Sequence, residues 1–209
     1  MNILLTMNIR EGYTLEDTIE HDYIDYFIRL GFNPFVLLNK VDVRYYFDNI
    51  HIDGVVLTGG IDVGAANEMS QIRDATEIKI LEYCIQNNIP VLGICRGMQM
   101  INSFFGGSLT QNISDHVRSA HAVCCINPLP SQMPVSDLLV NSYHNHGVFP
   151  HNLSSSLKVV FQNLKDGLIE GISHSQYPIF AIQWHPEREK TPNKIVDTLI
   201  TSFFKNSHL

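Results

Sequence analysis

Cys95 is the residue whose surroundings most strongly indicate chemistry in this chain. It follows the apolar run 91–94 and stands between Gly93 and Gly97. Glycines on both sides of a cysteine are typical of a strand that turns sharply into a helix, because larger side chains would clash in so tight a turn. The turn would place the thiol at the N-terminal end of a helix predicted over Met98–Phe105, where the helix dipole favours a thiolate. The pattern therefore predicts a nucleophile, although most free cysteines are small core residues.

A cysteine nucleophile needs a base, and His185 is the candidate. An apolar run ends at His185, and Pro186 and Glu187 follow. Because ligands bind at the carboxyl edge of a parallel sheet, Cys95 and His185 are expected to meet there. Glu187 could then hydrogen-bond the far imidazole nitrogen and fix its tautomer. Taken alone, His185 would be a solvated loop residue and Glu187 a surface carboxylate.

Paired glycines, Gly59 and Gly60, follow a predicted strand over Gly54–Thr58. After a strand, such a pair lets a backbone N–H point into a site, and a tetrahedral oxyanion needs two donors of this kind. The N–H groups of Gly60 and Arg96 are the predicted oxyanion hole. The alternative for the glycine pair is a plain turn.

The elements that must position these residues follow from the hydrophobic pattern. Alternation of strands and helices in the first half, with continuous apolar strands, predicts a parallel sheet covered on both faces. Predicted strands there are Asn2–Met7, Asn33–Leu38, Gly54–Thr58 and the run before Cys95, and predicted helices are Asp17–Leu30, Val43–Asn49 and Asp74–Asn88. After about residue 108, short strands separated by turns predict hairpins in part of the region: Ala120–Ile126, Leu138–Ser142, Leu157–Phe161 and Leu168–Ser173, with a loop over Asn127–Pro134. Pro178–Gln183 is the last predicted strand and Lys194–Phe204 the last predicted helix.

The composition narrows the class of protein. The 209 residues are expected to form one domain, and a net charge of -7 argues against a nucleic-acid surface. The apolar start is interpreted as a strand and not a signal peptide, and no apolar run is long enough for a membrane span. The four cysteines have neither zinc-site spacing nor an evident disulfide pairing, which favours a reducing cytoplasm.

Three motifs together carry a family resemblance: Gly93-Ile-Cys95-Arg-Gly97-Met-Gln99, His185-Pro-Glu187 and Gly59-Gly60. In order and approximate separation they resemble the class I glutamine amidotransferase superfamily over residues 1 to about 190, and in particular its γ-glutamyl hydrolase branch. The resemblance implies a flavodoxin-like three-layer α/β/α fold with a mostly parallel central sheet and a small antiparallel excursion. It implies a thioester formed at Cys95 and proton transfers by His185, with no cofactor and no metal.

The same resemblance suggests contacts to the substrate. Gln99 matches the family glutamine that helps to hold the glutamyl moiety, and its alternative is an exposed residue of the first helical turn. His144 and Asn145 fall where the family grips the α-amino and α-carboxylate groups, although the local pattern is not the usual one for the branch. Metal binding by His144 and His146 on one strand face is a further option, which the triad does not require.

The leaving-group pocket should be built from loops at the carboxyl edge of the sheet. Arg10, Arg73 and Arg118 are placed near that edge, where a guanidinium can bind a phosphate bidentately. The alternative is that these arginines only serve solubility. The chain as a whole also resembles hydrolases of glutamylated cytidine diphosphoramidate in bacterial capsule modification.

Other functions stay open. Within the hydrolases, the alternative substrate is γ-glutamyl-γ-aminobutyrate. Outside them, the chain could be a glutaminase subunit that supplies ammonia to a partner synthetase, or a non-catalytic binding protein. The expected partner is a small γ-glutamyl substrate, with neither nucleic acid nor membrane, and a homodimer is one option for the assembly.

Overall fold

The computed structural model describes residues 1–127 and 137–206. The predicted loop over Asn127–Pro134 lies outside the described residues apart from Asn127. The helices are α1 His21–Arg29, α2 Val43–Asn49, α3 Glu68–Gln86, α4 Arg96–Phe104 and α5 Lys194–Asn206. The strands of the central sheet are β1 Asn2–Thr6, β4 Asn33–Leu37, β5 Gly54–Leu57, β6 Val91–Ile94, β8 Val117–Cys125, β9 Leu138–Tyr143, β11 Leu157–Asn163, β12 Ile169–His174 and β13 Ile179–Ile182. The remaining strands form two small antiparallel pairs: β2 Asn8–Glu11 with β3 Leu15–Thr18, and β7 Thr110–Gln111 with β10 His146–Gly147.

The central sheet confirms the predicted α/β fold. Its strand order is β4-β1-β5-β6-β13-β12-β11-β8-β9. The five strands from β4 to β13 are parallel, and β12, β11, β8 and β9 extend the same sheet in antiparallel fashion. The antiparallel strands predicted after residue 108 are thus part of the main sheet.

Two hydrophobic clusters cover the two faces of this sheet. One packs α1 and α5 against it, through side chains such as Phe27 and Phe204. The other packs α2, α3 and α4 against the opposite face, through side chains such as Leu81 and Ile101. This produces the three expected layers. Within the described residues, every helix is too short or too polar to serve as a membrane span.

Three helices begin at other residues than predicted; α4 begins at Arg96, close to the predicted Met98, and the two larger differences have a structural reason. Helix α1 begins at His21 and not at Asp17, because Leu15–Thr18 pairs with Asn8–Glu11 as a hairpin. Helix α3 begins at Glu68, upstream of the predicted Asp74, because the Asn67 side chain accepts the N–H of Ser70 at 2.9 Å and caps the helix there.

Candidate active site

The strand-to-helix turn at Cys95 has the geometry that its glycines predict. Cys95 joins β6 to α4 with φ 52° and ψ −104°, a conformation that costs energy in any residue with a side chain. A Cβ on Gly97 would lie 2.2 Å from the carbonyl oxygen of Leu57, so only glycine allows the helix to approach β5 this closely. The Cys95 N–H donates to the carbonyl of Ile182 at 2.8 Å. The turn therefore anchors the thiol directly to the neighbouring strand β13.

His185 and Glu187 lie beside Cys95 because β13 is the strand next to β6. Ile182 pairs with Ile94 in register, and both strands end at the same edge of the sheet. Nδ1 of His185 lies 2.5 Å from Oε1 of Glu187, and both residues are buried. The structure thus brings together the three residues predicted for the triad.

The charge state of His185 follows from this arrangement. Burial alone would lower the pKa of the imidazole, but the neighbouring Cys95 and Glu187 raise it to about 10. This raised pKa keeps the imidazole protonated at neutral pH, so His185 can donate a proton in the site.

Asn141 fixes the backbone of His185, which sequence analysis did not anticipate. Its Oδ1 accepts the His185 N–H at 2.9 Å, and its Nδ2 donates to the His185 carbonyl at 2.7 Å. Asn141 lies on β9, the far edge strand of the sheet. No local motif pointed to it, since the contact joins segments 44 residues apart.

The two N–H groups predicted for the oxyanion hole come from two elements. Gly60 follows β5, and Arg96 is the first residue of α4, directly after the turn at Cys95. The N–H of Gly59 donates to Tyr23 Oη at 2.8 Å, and the N–H of Ile61 donates to Asn8 Oδ1 at 3.3 Å. In the described part of the chain, the N–H of Gly60 between them has no protein acceptor. The Arg96 N–H is in the first turn of α4, where helical geometry leaves it without an intrahelical acceptor. Both N–H groups can therefore serve a ligand.

The side chain of Arg96 has a separate role, inside a buried network of charges. Its guanidinium forms ion pairs with Glu77 and Asp74 of α3. Glu77 also pairs with Arg73, at 3.1 Å, and accepts the Thr6 hydroxyl at 2.8 Å. The network attaches the first turn of α4 to α3 and to the end of β1.

Arg73 belongs to this network, and its prediction as a leaving-group contact is wrong. It lies on α3, not on a loop, and is 0% exposed. Its guanidinium donates to Glu77, to Asn8 and, at 2.8 Å, to the carbonyl of Thr58. Burial, with the Arg96 charge beside it, lowers the pKa of Arg73 to about 10. Arg73 thus holds the segment before Gly59 in place and does not reach the pocket.

Gln99 is buried beneath the nucleophile, so the alternative of an exposed helix residue is wrong. Its Nε2 donates to the carbonyl of His146 at 3.0 Å and lies 3.4 Å from Oε1 of Gln183. The Nε2 of Gln183 lies in turn 3.6 Å from Cys95 Sγ. Gln183 was missed because it resembles any polar residue at a strand end. A contact of Gln99 with substrate stays a prediction.

His144 does not face the site, contrary to the prediction. It is buried, with Nδ1 on the carbonyl of His146 at 3.0 Å and Nε2 beside Ser142 Oγ at 3.0 Å. Burial lowers the pKa of His144 to about 3, with a further contribution from His116, so the ring is neutral. Asn145 is exposed, and its role stays a prediction.

The expected alternation of His144 and His146 on one strand is also wrong. Strand β9 ends at Tyr143 and β10 begins at His146, so the two histidines do not share a strand. His146 instead pairs with Asp62 at 3.2 Å.

An open cleft of about 270 Å³ adjoins the glycine pair. Its lining joins the β2–β3 hairpin and the start of α1 to the segment after β5, and includes Asn8, Arg10, Glu20, Tyr23, Gly59 and Gly60. Arg10 is 68% exposed and pairs with Glu16 across the hairpin at 2.8 Å. Arg118 is exposed near the start of β8, and its predicted role is untested.

The sheet carries a cysteine at a sharp strand-to-helix turn, and a histidine with its carboxylate follows the neighbouring strand. This arrangement defines a hydrolase of the class I glutamine amidotransferase type. The model of the Peptidase C26 family matches residues 5–187, and the chain belongs to that family.

Individual proteins agree with this assignment. The chain is 34% identical over 167 residues to a γ-glutamyl-CDP-amidate hydrolase of Campylobacter jejuni, covering 79% of this chain and 76% of that one. It is 30% identical over 199 residues to a Schizosaccharomyces pombe protein with a provisional glutamine amidotransferase name, covering 83% and 77%. A crystal structure of a glutamine amidotransferase from Thermotoga maritima shares the fold, with a TM-score of 0.70 at 17% identity and coverage of 99% and 97%.

Proposed function

We propose that this hydrolase cleaves γ-glutamyl-CDP-amidate to glutamate and cytidine diphosphoramidate, as a free-standing cytoplasmic enzyme of capsule modification. The observation that carries the reaction type is the placement of Cys95 and His185 after the ends of two neighbouring strands, with His185 Nδ1 2.5 Å from Glu187 Oε1. The nucleotide part of the proposal is supported by the name of the C. jejuni relative and by an exposed arginine on the cleft.

The first half of the reaction forms a thioester. The Cys95 thiolate attacks the γ-carbonyl carbon, and the oxyanion that develops accepts hydrogen bonds from the N–H groups of Gly60 and Arg96. His185 donates its proton to the nitrogen of the phosphoramidate as the C–N bond breaks. Glu187 holds the imidazole with Nε2 directed to the reacting atoms.

The second half releases glutamate. Neutral His185 takes a proton from water, and the hydroxide formed attacks the thioester carbonyl. The same two N–H donors stabilise the second oxyanion. Breaking the C–S bond regenerates the thiolate beside the imidazolium, and the free γ-carboxylate of glutamate leaves.

The cleft between the β2–β3 hairpin and Gly59–Gly60 is the place for the leaving group. It adjoins Gly60, and its rim carries Arg10. A guanidinium can bind two phosphate oxygens in a planar arrangement, which suits a diphosphate. An exposed arginine paired only with Glu16 can exchange that partner for a ligand at little cost.

A panel of substrates tests the proposal. The purified full chain is given γ-glutamyl-CDP-amidate, γ-glutamyl-γ-aminobutyrate or glutamine, and glutamate release is measured with and without a lysate. We expect the largest kcat/KM with the nucleotide substrate and no effect of the lysate. A larger kcat/KM with γ-glutamyl-γ-aminobutyrate would move the assignment to that substrate. Glutamine hydrolysis only in the presence of lysate would identify a glutaminase subunit.

A further inference from the structure

A second group of titratable side chains lies buried on the antiparallel part of the sheet, and the triad does not use it. Glu170 on β12 is 0% exposed, and among the described residues neither carboxylate oxygen has a hydrogen-bond partner with good alignment. Three imidazole nitrogens surround its Oε1: His121 Nε2 at 2.9 Å, His116 Nδ1 at 3.7 Å and His144 Nε2 at 3.8 Å. Neither ring nitrogen of His121 has an aligned hydrogen-bond partner either.

Two of these histidines have an acceptor at the ring nitrogen that points away from Glu170. This leaves a lone pair on the nitrogen that faces the carboxylate. Asp166 Oδ2 lies 2.8 Å from His116 Nε2, and the carbonyl of His146 lies 3.0 Å from His144 Nδ1. An acceptor on the far nitrogen takes the ring proton, so the near nitrogen of a neutral ring is an acceptor. The Ser142 hydroxyl donates to the carbonyl of His116 at 2.7 Å, so it does not supply His144 with a proton.

Lone pairs that converge on a buried carboxylate repel one another unless a proton or a metal ion lies between them. A metal-binding histidine usually donates its other ring N–H to a carboxylate or to a carbonyl. The donor atoms of His116, His121 and Glu170 all lie within 4.8 Å of one another. With bonds of about 2.1 Å, a tetrahedral zinc ion needs its donors about 3.4 Å apart, so small side-chain rotations suffice.

We propose that His116, His121 and Glu170 form a binding site for one divalent transition-metal ion of the Zn²⁺ class, with His144 as a candidate fourth ligand. Imidazole nitrogens and a carboxylate oxygen are the donors that Zn²⁺ takes in proteins. The ion's two positive charges would balance Glu170 and the adjacent Asp166. The site would tie β8 and β12 to His144 and so to the adjoining β10, whose His146 carbonyl accepts from Gln99. The ion is therefore structural, and it shares no residue with the triad.

Metal titration of an inactive chain tests the site without reference to the proposed reaction. The full-length C95A protein is stripped with a chelator and titrated with Zn²⁺ against a chromophoric competitor. Without the reactive thiol beside His185, binding there is disfavoured. We expect one equivalent of Zn²⁺, and a Co²⁺ spectrum with four-coordinate d–d bands and no thiolate charge-transfer band.

Variants in the C95A background assign the ligands. E170Q and H121N should lose stoichiometric binding, whereas H151N, at an exposed histidine on the turn 150–152, should keep it. D166N, in which an amide replaces the carboxylate beside His116 Nε2, should bind Zn²⁺ about 10–100-fold more weakly. Absence of Zn²⁺ binding by the C95A chain, or equal affinity in D166N and H151N, would overturn the proposal even if E170Q fails to fold. Circular dichroism of each variant identifies such a failure.

Discussion

The side-chain amide of Gln183 lies 3.6 Å from Cys95 Sγ, with its nitrogen toward the sulfur. Its oxygen lies 3.4 Å from the amide nitrogen of Gln99, which fixes the orientation of the amide group. Gln183 therefore directs an N–H donor at the Cys95 sulfur, and it is placed there by β13, the strand that leads to His185.

Replacing Gln183 with leucine should slow the reaction of Cys95 with iodoacetamide at pH 7. A hydrogen bond to a charged group is worth about 1.5–3 kcal/mol, which corresponds to roughly 10–100-fold. The alkylation rate is measured by mass spectrometry. Gln86→Leu, at an exposed residue of α3, is the control and should leave the rate unchanged. Equal rates in both variants would show that Gln183 does not support the thiolate.

The pKa of His185 should fall when Cys95 becomes alanine. Cys95 and Glu187 together raise it to about 10 against the effect of burial, and the variant keeps only Glu187. An NMR titration of ¹⁵N-labelled imidazole measures the shift. Cys84→Ala is the control, because burial alone raises the pKa of that thiol and it lies apart from the histidine. An unchanged His185 pKa in C95A would show that Cys95 does not stabilise the imidazolium.

The same raised pKa predicts how the free energy of unfolding depends on pH. Because the folded state holds the His185 proton more tightly, this contribution is complete below the ordinary histidine pKa and is lost as pH rises towards about 10. In C95A the loss should come at lower pH. Denaturant unfolding of both proteins at a series of alkaline pH values measures the difference. Parallel curves for the two proteins would contradict the expectation.

Replacing Gly60 with alanine should lower kcat strongly. The residue has φ 135°, and a Cβ would lie 2.3 Å from Arg73 Nη1 and 2.6 Å from Asn8 Oδ1. The turn must therefore shift, and with it the N–H predicted for the oxyanion; losing one such donor costs about 10²–10³-fold in kcat. Gly64→Ala is the matched control, since Gly64 also has positive φ, 72°, but open space around it. If both variants retain equal kcat, Gly60 does not supply the oxyanion hole.

Glu77→Gln should destabilise the fold by about 3–5 kcal/mol, because it leaves two buried arginines short of a counter-charge. Burial would raise the pKa of Glu77, but Arg96 and then Arg73 lower it below its ordinary value. Its contribution to stability is thus present above the ordinary glutamate pKa and is lost as pH falls below it. Urea unfolding measures the change, with exposed Glu82→Gln as the control. A loss of stability no larger than in that control would contradict the buried network.

Arg10→Ala should raise KM for the nucleotide substrate and leave KM for glutamine unchanged. Arg44→Ala is a matched control, because Arg44 is equally exposed, at 70% against 68%, and likewise pairs with one carboxylate, Asp42. The comparison is made by steady-state kinetics on both substrates. Equal KM values in the two variants would remove Arg10 from the leaving-group site.

The motifs predicted the parallel half of the fold and the meeting of Cys95 with His185, because both depend on strands that end at one edge of a sheet. Arg73 was misplaced because its role depends on where α3 begins, which is decided by the Asn67 cap. His144 was misassigned because the strand break after Tyr143 turns its ring into the protein. Gln183 and Asn141 act across long sequence separations that no local pattern records.

The β2–β3 hairpin is bonded within itself and lies outside the central sheet, yet it borders the cleft. Cys95, His185 and Glu187, by contrast, are held by β6 and β13 in the middle of that sheet. Under the proposed function, selectivity for the leaving group would depend on the hairpin, and reactivity on the central sheet. A hairpin transplanted from a relative could redirect this hydrolase to a different amine without any change to the residues that break the bond.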